Sequence, residues 1–176
     1  RGQSALRTWI YRIVVTQAIV DDRIDVGADR AFISNLSGAT LSAWVRTDTV
    51  VTDQSIISLS VNNAGVPTSA SRAALELSGD DIKVVARSTD AEGQMSMTTT
   101  GNVLAGAVGV WHYLTGVVDY ANDTITIYLD GVQQAAAGPV NFSQSTTPST
   151  SSTNSHLAAG DDGAGLFFAG ALDEAR

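Results

Sequence analysis

Hydrophobic and polar positions alternate most regularly in Thr124–Asp130, where Ile125, Ile127 and Leu129 fall on one face and Thr124, Thr126, Tyr128 and Asp130 on the other. A period of two is that of a half-buried strand, and β-branched and aromatic side chains suit its pleated surface. Asp130-Gly131 follows, between Leu129 and Val132. Both central residues of a tight type I′ turn need positive φ, which Asp tolerates and Gly takes at no steric cost. Upstream, an apolar run from Val110 to Val118 ends at Asp119, and Tyr120-Ala121-Asn122-Asp123 is a connection of hairpin type. Trp111 to Gln133 therefore predicts three consecutive antiparallel strands.

The same reading extends along the chain. Thr8 to Val20 predicts a strand, and Asp21 to Asp29 an acidic turn around Ile24 and Val26. In Thr40–Arg46, Leu41, Ala43 and Val45 alternate against Thr40, Ser42, Trp44 and Arg46. Ser55 to Ser60 is a further strand, Arg72–Ser78 and Asp81–Ser88 a hairpin around Gly79-Asp80, and Met95 to Thr100 a weaker strand. Pro139 to Ser155 is rich in Ser and Thr and shows no core-forming pattern. Short apolar segments return at His156–Ala159 and Phe167–Ala175. Helical periodicity is absent, so the chain predicts an all-β sandwich, barrel or jelly roll.

Composition narrows the function classes. A chain of 176 residues forms one domain, or one domain with an extension. The formal net charge of -8 argues against nucleic acid and anionic membranes as partners, and no apolar run is long enough to insert in a membrane. Without Cys there are neither disulfides nor thiolate metal sites. Both ends, at Arg1 and at Asp173-Glu174-Ala175-Arg176, read as cuts, made either by processing or because the chain is part of a larger polypeptide.

Trp111-His112 entering a strand that ends in Asp119, then Tyr128-Leu129-Asp130-Gly131, then Gly170-Ala171-Leu172-Asp173-Glu174, occur in an order that resembles the laminin G-like (LamG) branch of the concanavalin A-like lectin/glucanase superfamily, especially its pentraxin-related bacterial members. The resemblance spans about residues 21–176 and implies a jelly roll of two antiparallel sheets. Residues 1–20 fall outside it, as an extension whose strand is expected to pair with a sheet edge of its own or another copy. The last strand is expected to be cut short at Arg176. The resemblance implies an extracellular or cell-surface module for recognition or adhesion, with glycan or an extracellular protein as partner. A structural subunit of a fibre, sheath or surface layer, and a domain of a polysaccharide-degrading enzyme, are the alternatives.

Catalysis is not expected. A retaining glycosidase needs two carboxylates about 5 Å apart, and glycosidases of this fold carry them on an E-x-D-x-E strand, which this chain lacks. Its acids occur as adjacent pairs, such as Asp80-Asp81, whose side chains leave a strand on opposite faces. His112 is expected to be structural, and Trp44 and Trp111 to pack in or at the edge of the core. Trp9, Tyr120 and Phe142, in or beside loops, are the candidates for an exposed ligand contact. Calcium takes six to eight oxygens, usually with two or three carboxylates among them. The resemblance suggests Asp22, Asp25 and Asp173 as its ligands, with Asp161 and Asp162 as a second set.

Overall fold

The computed structural model describes residues 24–27, 35–50, 53–59, 71–142, 145–147, 155–160 and 166–176. Among these, every regular element is a strand. They are β1 (Ile24–Gly27), β2 (Gly38–Thr47), β3 (Gln54–Leu59), β4 (Ala73–Ser78), β5 (Asp81–Ala86), β6 (Met95–Thr99), β7 (Trp111–Asp119), β8 (Thr124–Leu129), β9 (Val132–Gln133), β10 (Ala136–Ala137), β11 (Ser155–Leu157) and β12 (Gly170–Asp173). They form a seven-stranded sheet, β1-β11-β3-β4-β5-β6-β10, and a five-stranded sheet, β12-β2-β7-β8-β9. All pairings are antiparallel. This is the two-sheet jelly roll that the strand pattern and the family resemblance predict.

The core lies between the sheets. Leu41, Ala43 and Val45 of β2, Leu114 and Val118 of β7, and Ile125 and Ile127 of β8 meet Leu75 and Leu77 of β4 and Ile82 and Val84 of β5. The three-strand reading of Trp111–Gln133 holds in register, with Leu114 opposite Leu129 and Asp119 opposite Thr124. Asp130 and Gly131 take φ of 52° and 79°, the signs of a type I′ turn. The turn acids are used locally. Asp119 accepts the Asn122 side-chain amide and the N–H groups of Asn122 and Ala121, which hold its carboxyl below the usual range.

Two readings change. Ile24–Gly27, expected in a turn, is an edge strand whose partner, β11, lies some 130 positions away in the chain. The Ser/Thr-rich segment from Pro139 shows no core-forming pattern, yet Phe142 and Thr146 are buried. The Asn35 N–H donates to the Thr146 carbonyl, and the Thr146 N–H to that of Leu36. The Thr8–Val20 strand lies outside the described residues.

Candidate functional site

The two sheets differ in what their outer faces present. On the seven-stranded sheet, the outward positions Ser58, Ala74, Val85 and His156 are all buried. The outer face of the five-stranded sheet is open and aromatic. The alternation that sends Leu41, Ala43 and Val45 inward sends Ser42, Trp44 and Arg46 outward. On β7, Leu114 and Val118 point inward, so Trp111, Tyr113, Thr115 and Val117 point outward. Cross-strand register then pairs Trp44 with Tyr113 and Arg46 with Trp111.

These pairs are in contact. The Trp44 and Tyr113 rings lie 5.3 Å apart with a 46° tilt, and the Arg46 guanidinium carbon stands 5.7 Å from the Trp111 ring centroid. Such cross-strand aromatic and cation–π pairs hold their rings in place. The Tyr113 hydroxyl donates to Ser42 Oγ at 2.9 Å, which fixes the phenol against the sheet. Below Trp111, His112 Nδ1 and the Asp130 carboxylate lie 2.8 Å apart. Asp130 also accepts the Tyr113 N–H at 2.8 Å. Burial raises the Asp130 carboxyl, but the His112 and Tyr113 hydrogen bonds and the His112 charge outweigh it and hold it below its ordinary value. The β8–β9 turn is thereby tied to the first residues of β7, the same residues that carry Trp111 and Tyr113. His112 is the structural histidine expected.

Trp44 remains 38% exposed and Trp111 42% exposed. Of the expected positions, in or at the edge of the core, neither tryptophan takes the first: both lie on the outer face of the sheet. Farther along the same strands, Thr40, Val117, Asp119 and Asn122 line an open groove of about 370 Å³. The face thus runs from an aromatic end to a polar end.

The residues expected to form a site are not gathered there. Tyr120 and Phe142, read as exposed contacts, are 2% and 7% exposed. Their rings pack edge to face at 5.0 Å, and Asp123 accepts the Phe142 N–H at 2.6 Å, which draws the later segment over the Tyr120 ring. Burial, helped by the Glu92 charge and opposed by that of Arg72, pushes the Tyr120 phenol up to about 12. The folded value lies above that of a free phenol, near 10, so the contribution to stability is complete below pH 10. It declines as the unfolded chain ionises, and is gone above about pH 12. The expected loss over that window is about 3 kcal/mol. Absorbance titration of tyrosinate together with urea unfolding between pH 9 and 12.5 checks this; a Tyr120→Phe variant that keeps the full alkaline loss would refute it.

Trp9, Asp22, Asp161 and Asp162 lie outside the described residues. Asp25 belongs to β1, opposite His156, and Asp173 to β12, opposite Trp44. These are edge strands of different sheets. One Asp173 oxygen accepts the Glu174 N–H at 2.8 Å. Among the described residues, no group of three or more His, Cys, Asp or Glu is placed to hold a metal ion. No helix among them is long and apolar enough to cross a membrane.

With this geometry in place, comparison with known proteins identifies the family. The laminin-G-type model described as the concanavalin A-like lectin/glucanases superfamily matches residues 19–176. Comparison with curated proteins gives no match. Among solved structures, the chain is similar to the CBM40 module of Ruminococcus gnavus IT-sialidase, with a TM-score of 0.69, 17% identity, and coverage of 94% of this chain and 88% of that one. The same module bound to α2,6-sialyllactose gives 0.68 and 18% identity over 95% and 89% of the two chains. Domains LG4–5 of the mouse laminin α1 chain give 0.54 and 15% identity, over 91% of this chain and 37% of that one. At such identities the structural likeness speaks for the fold. The family match, the order of strands in the two sheets and these neighbours agree: the chain belongs to the concanavalin A-like lectin/glucanases superfamily.

Proposed function

We propose that this domain is a non-catalytic glycan-recognition module of an extracellular or surface protein, and that its ligand lies on the open face of the five-stranded sheet. The observation that carries this reading is the pair of half-exposed tryptophans on that face. Water-exposed indole is costly to leave uncovered, and its flat apolar surface with one polar N–H suits the mixed faces of a sugar ring. Tyr113, locked by Ser42, extends the platform beside Trp44. The groove beyond Thr40 offers hydroxyl, amide and carboxylate groups to further sugar units. That similar modules are seen with sialyllactose supports glycan as the ligand class.

A glycan array of neutral and acidic oligosaccharides, followed by titration of the hits, tests the proposal. Trp44→Ala and Trp111→Ala are each expected to weaken binding by about 30-fold, the ~2 kcal/mol of a well-placed aromatic anchor. Both indoles also pack on the sheet, against Tyr113 and Arg46, so unfolding is measured alongside to confirm that each variant is folded where binding is titrated. A silent array, or binding that survives both substitutions, would refute the reading. The titration is run with calcium and with a chelator. Loss of affinity in the chelator would assign a cation to the interaction.

A further inference from the structure

We infer that the cavity between the two sheets, at the end of the sandwich where β2 begins, is a second binding site, and that it takes the alkyl chain of a medium-chain fatty acid with the carboxylate at Arg176. This site is independent of the sugar platform, because it lies inside the sandwich rather than on the outer face of the five-stranded sheet. The space measures about 300 Å³. Ala39 and Leu41 of β2, Leu59 of β3, Ala73 of β4 and the neighbouring Leu36 form its apolar walls. Its origin is in the sequence. Farther along the core, the inward positions of β2 and β4 carry Val45, Leu75 and Leu77. At this end, Ala39 and Ala73 present only a methyl group each from the two sheets. An apolar cavity of about 150 Å³ holds one benzene molecule, so twice that volume takes about twelve non-hydrogen atoms, those of decanoate.

The chemistry of the walls selects the ligand. Their polar groups are already engaged. Thr146 Oγ1 accepts the Leu36 N–H at 2.8 Å, and the Tyr120 hydroxyl donates to the Arg72 carbonyl at 3.4 Å. The Arg72 guanidinium is committed to Asp90 and to the carbonyls of Arg87 and Thr147. The part of a ligand that enters must therefore be apolar, and aliphatic walls reward a flexible chain that can follow them. The charged side chains that line the space, Arg72 and Arg176, are both cations, in a chain of net charge -8. Arg176 is held at the mouth by backbone hydrogen bonds in both directions with Ser42. Its guanidinium lies 3.5 Å from Glu174, and the two side chains are 45% and 43% exposed. Water screens such a pair, so it opens at little cost. A carboxylate anchored by its own chain in the cavity can then take the place of Glu174, and the guanidinium fork fits it.

Calorimetry with hexanoate, octanoate, decanoate and dodecanoate, each below its micellar concentration, tests the site. Affinity is expected to rise about four-fold for each methylene buried, up to decanoate. It should level off beyond about ten carbons, where the cavity is full, with one ligand per domain. Decanoate should bind about five-fold or more tightly than decanol, Arg176→Gln should remove that difference, and Glu174→Gln should enlarge it. Ala39→Leu and Ala73→Leu fill the cavity from opposite sheets. Whichever of them keeps its melting temperature should bind decanoate about ten-fold or more weakly. Trp44→Ala should leave decanoate binding unchanged. No binding by wild type, affinity that climbs unbroken through dodecanoate with several ligands per domain, or binding untouched by both filling variants overturns the site. Equal affinity for decanoate and decanol overturns the anionic head group, and tighter binding of 1-naphthoate than of decanoate overturns the alkyl chain. None of these results bears on the sugar platform, which the glycan array judges separately.

Discussion

Gly170→Ala is expected to destabilise the domain by about 3–5 kcal/mol, combining the cost of inserting volume into a packed site with that of a backbone conformation foreign to L-residues. Gly170 takes a φ of 156° at the start of β12. A Cβ there would lie 2.1 Å from the Arg46 carbonyl oxygen and 2.9 Å from the Phe168 ring. The carbonyl belongs to the β2 ladder, and Phe168 is buried. Neither yields as the end of a flexible side chain would. To make room, β12 must lift from β2 where Gly170 pairs with Thr47. Arg46 is displaced with it, and its stacking on Trp111 is disturbed. Gly93 supplies the contrast: a Cβ there meets nothing within 4 Å. Gly93→Ala should stay within about 0.5 kcal/mol of wild type. Urea unfolding of both variants checks the pair; a Gly170→Ala protein as stable as Gly93→Ala would show that the β12–β2 contact is pliable.

Arg72→Ala is expected to cost a similar amount, about 3–5 kcal/mol, for a different physical reason. Its side chain is 1% exposed. Nη1 pairs with Asp90, while Nη2 donates to the carbonyls of Ser88 and Thr147 and Nε to that of Arg87. One guanidinium thus fastens the start of β4 to the segment after β5 and to Thr147. Truncation removes the side-chain donor to the carbonyls of Arg87, Ser88 and Thr147 and the ion pair with Asp90, and each buried polar group that loses its partner costs about 1–3 kcal/mol. It also removes a like charge from buried Arg87. Burial lowers the affinity of Arg87 for its proton most, Asp90 offsets this, and Arg72 adds to it. That relief is smaller than the loss. Thermal and urea unfolding measure the change, and a double-mutant cycle with Asp90→Ala separates the ion pair from the carbonyl contacts. A loss below about 1 kcal/mol for Arg72→Ala would mean that water replaces the guanidinium without penalty.

Much of the scaffold is legible in local pattern, because the information that builds Trp111–Gln133 is itself local. Ile125 and Ile127 are buried as their alternation requires, and Asp130-Gly131 turns with the φ signs that only a few residues tolerate. The face proposed for binding is legible in part. The alternation of Thr40–Arg46 places Trp44 and Arg46 opposite the core residues, and following it strictly gives their outward orientation. The general habit of tryptophan to pack on sheets points the other way. For Trp111 the near-continuous apolar run from Val110 to Val118 conceals the alternation. Which outer face stays open is not a local property, since it depends on what the rest of the chain covers. Tyr120 and Phe142 show the same limit. Each stands beside a turn, and it is the Asp123–Phe142 hydrogen bond, joining positions 19 residues apart, that buries them. β1 reads as a turn because its partner strand is distant in sequence.

The face on which recognition is proposed is assembled from β2 and β7, where Trp44 meets Tyr113 and Arg46 meets Trp111. The members of the pairs lie 69 and 65 positions apart, so no hairpin holds both. Closing that loop is an entropic barrier that precedes any reward from the ladder, and topologies ruled by such pairings fold on the millisecond-to-second scale. The aromatic surface therefore comes into being only at the late, long-range step of folding. A nascent or partly unfolded chain presents no such face, and the proposed affinity for sugar would double as a reporter of the completed β2–β7 ladder.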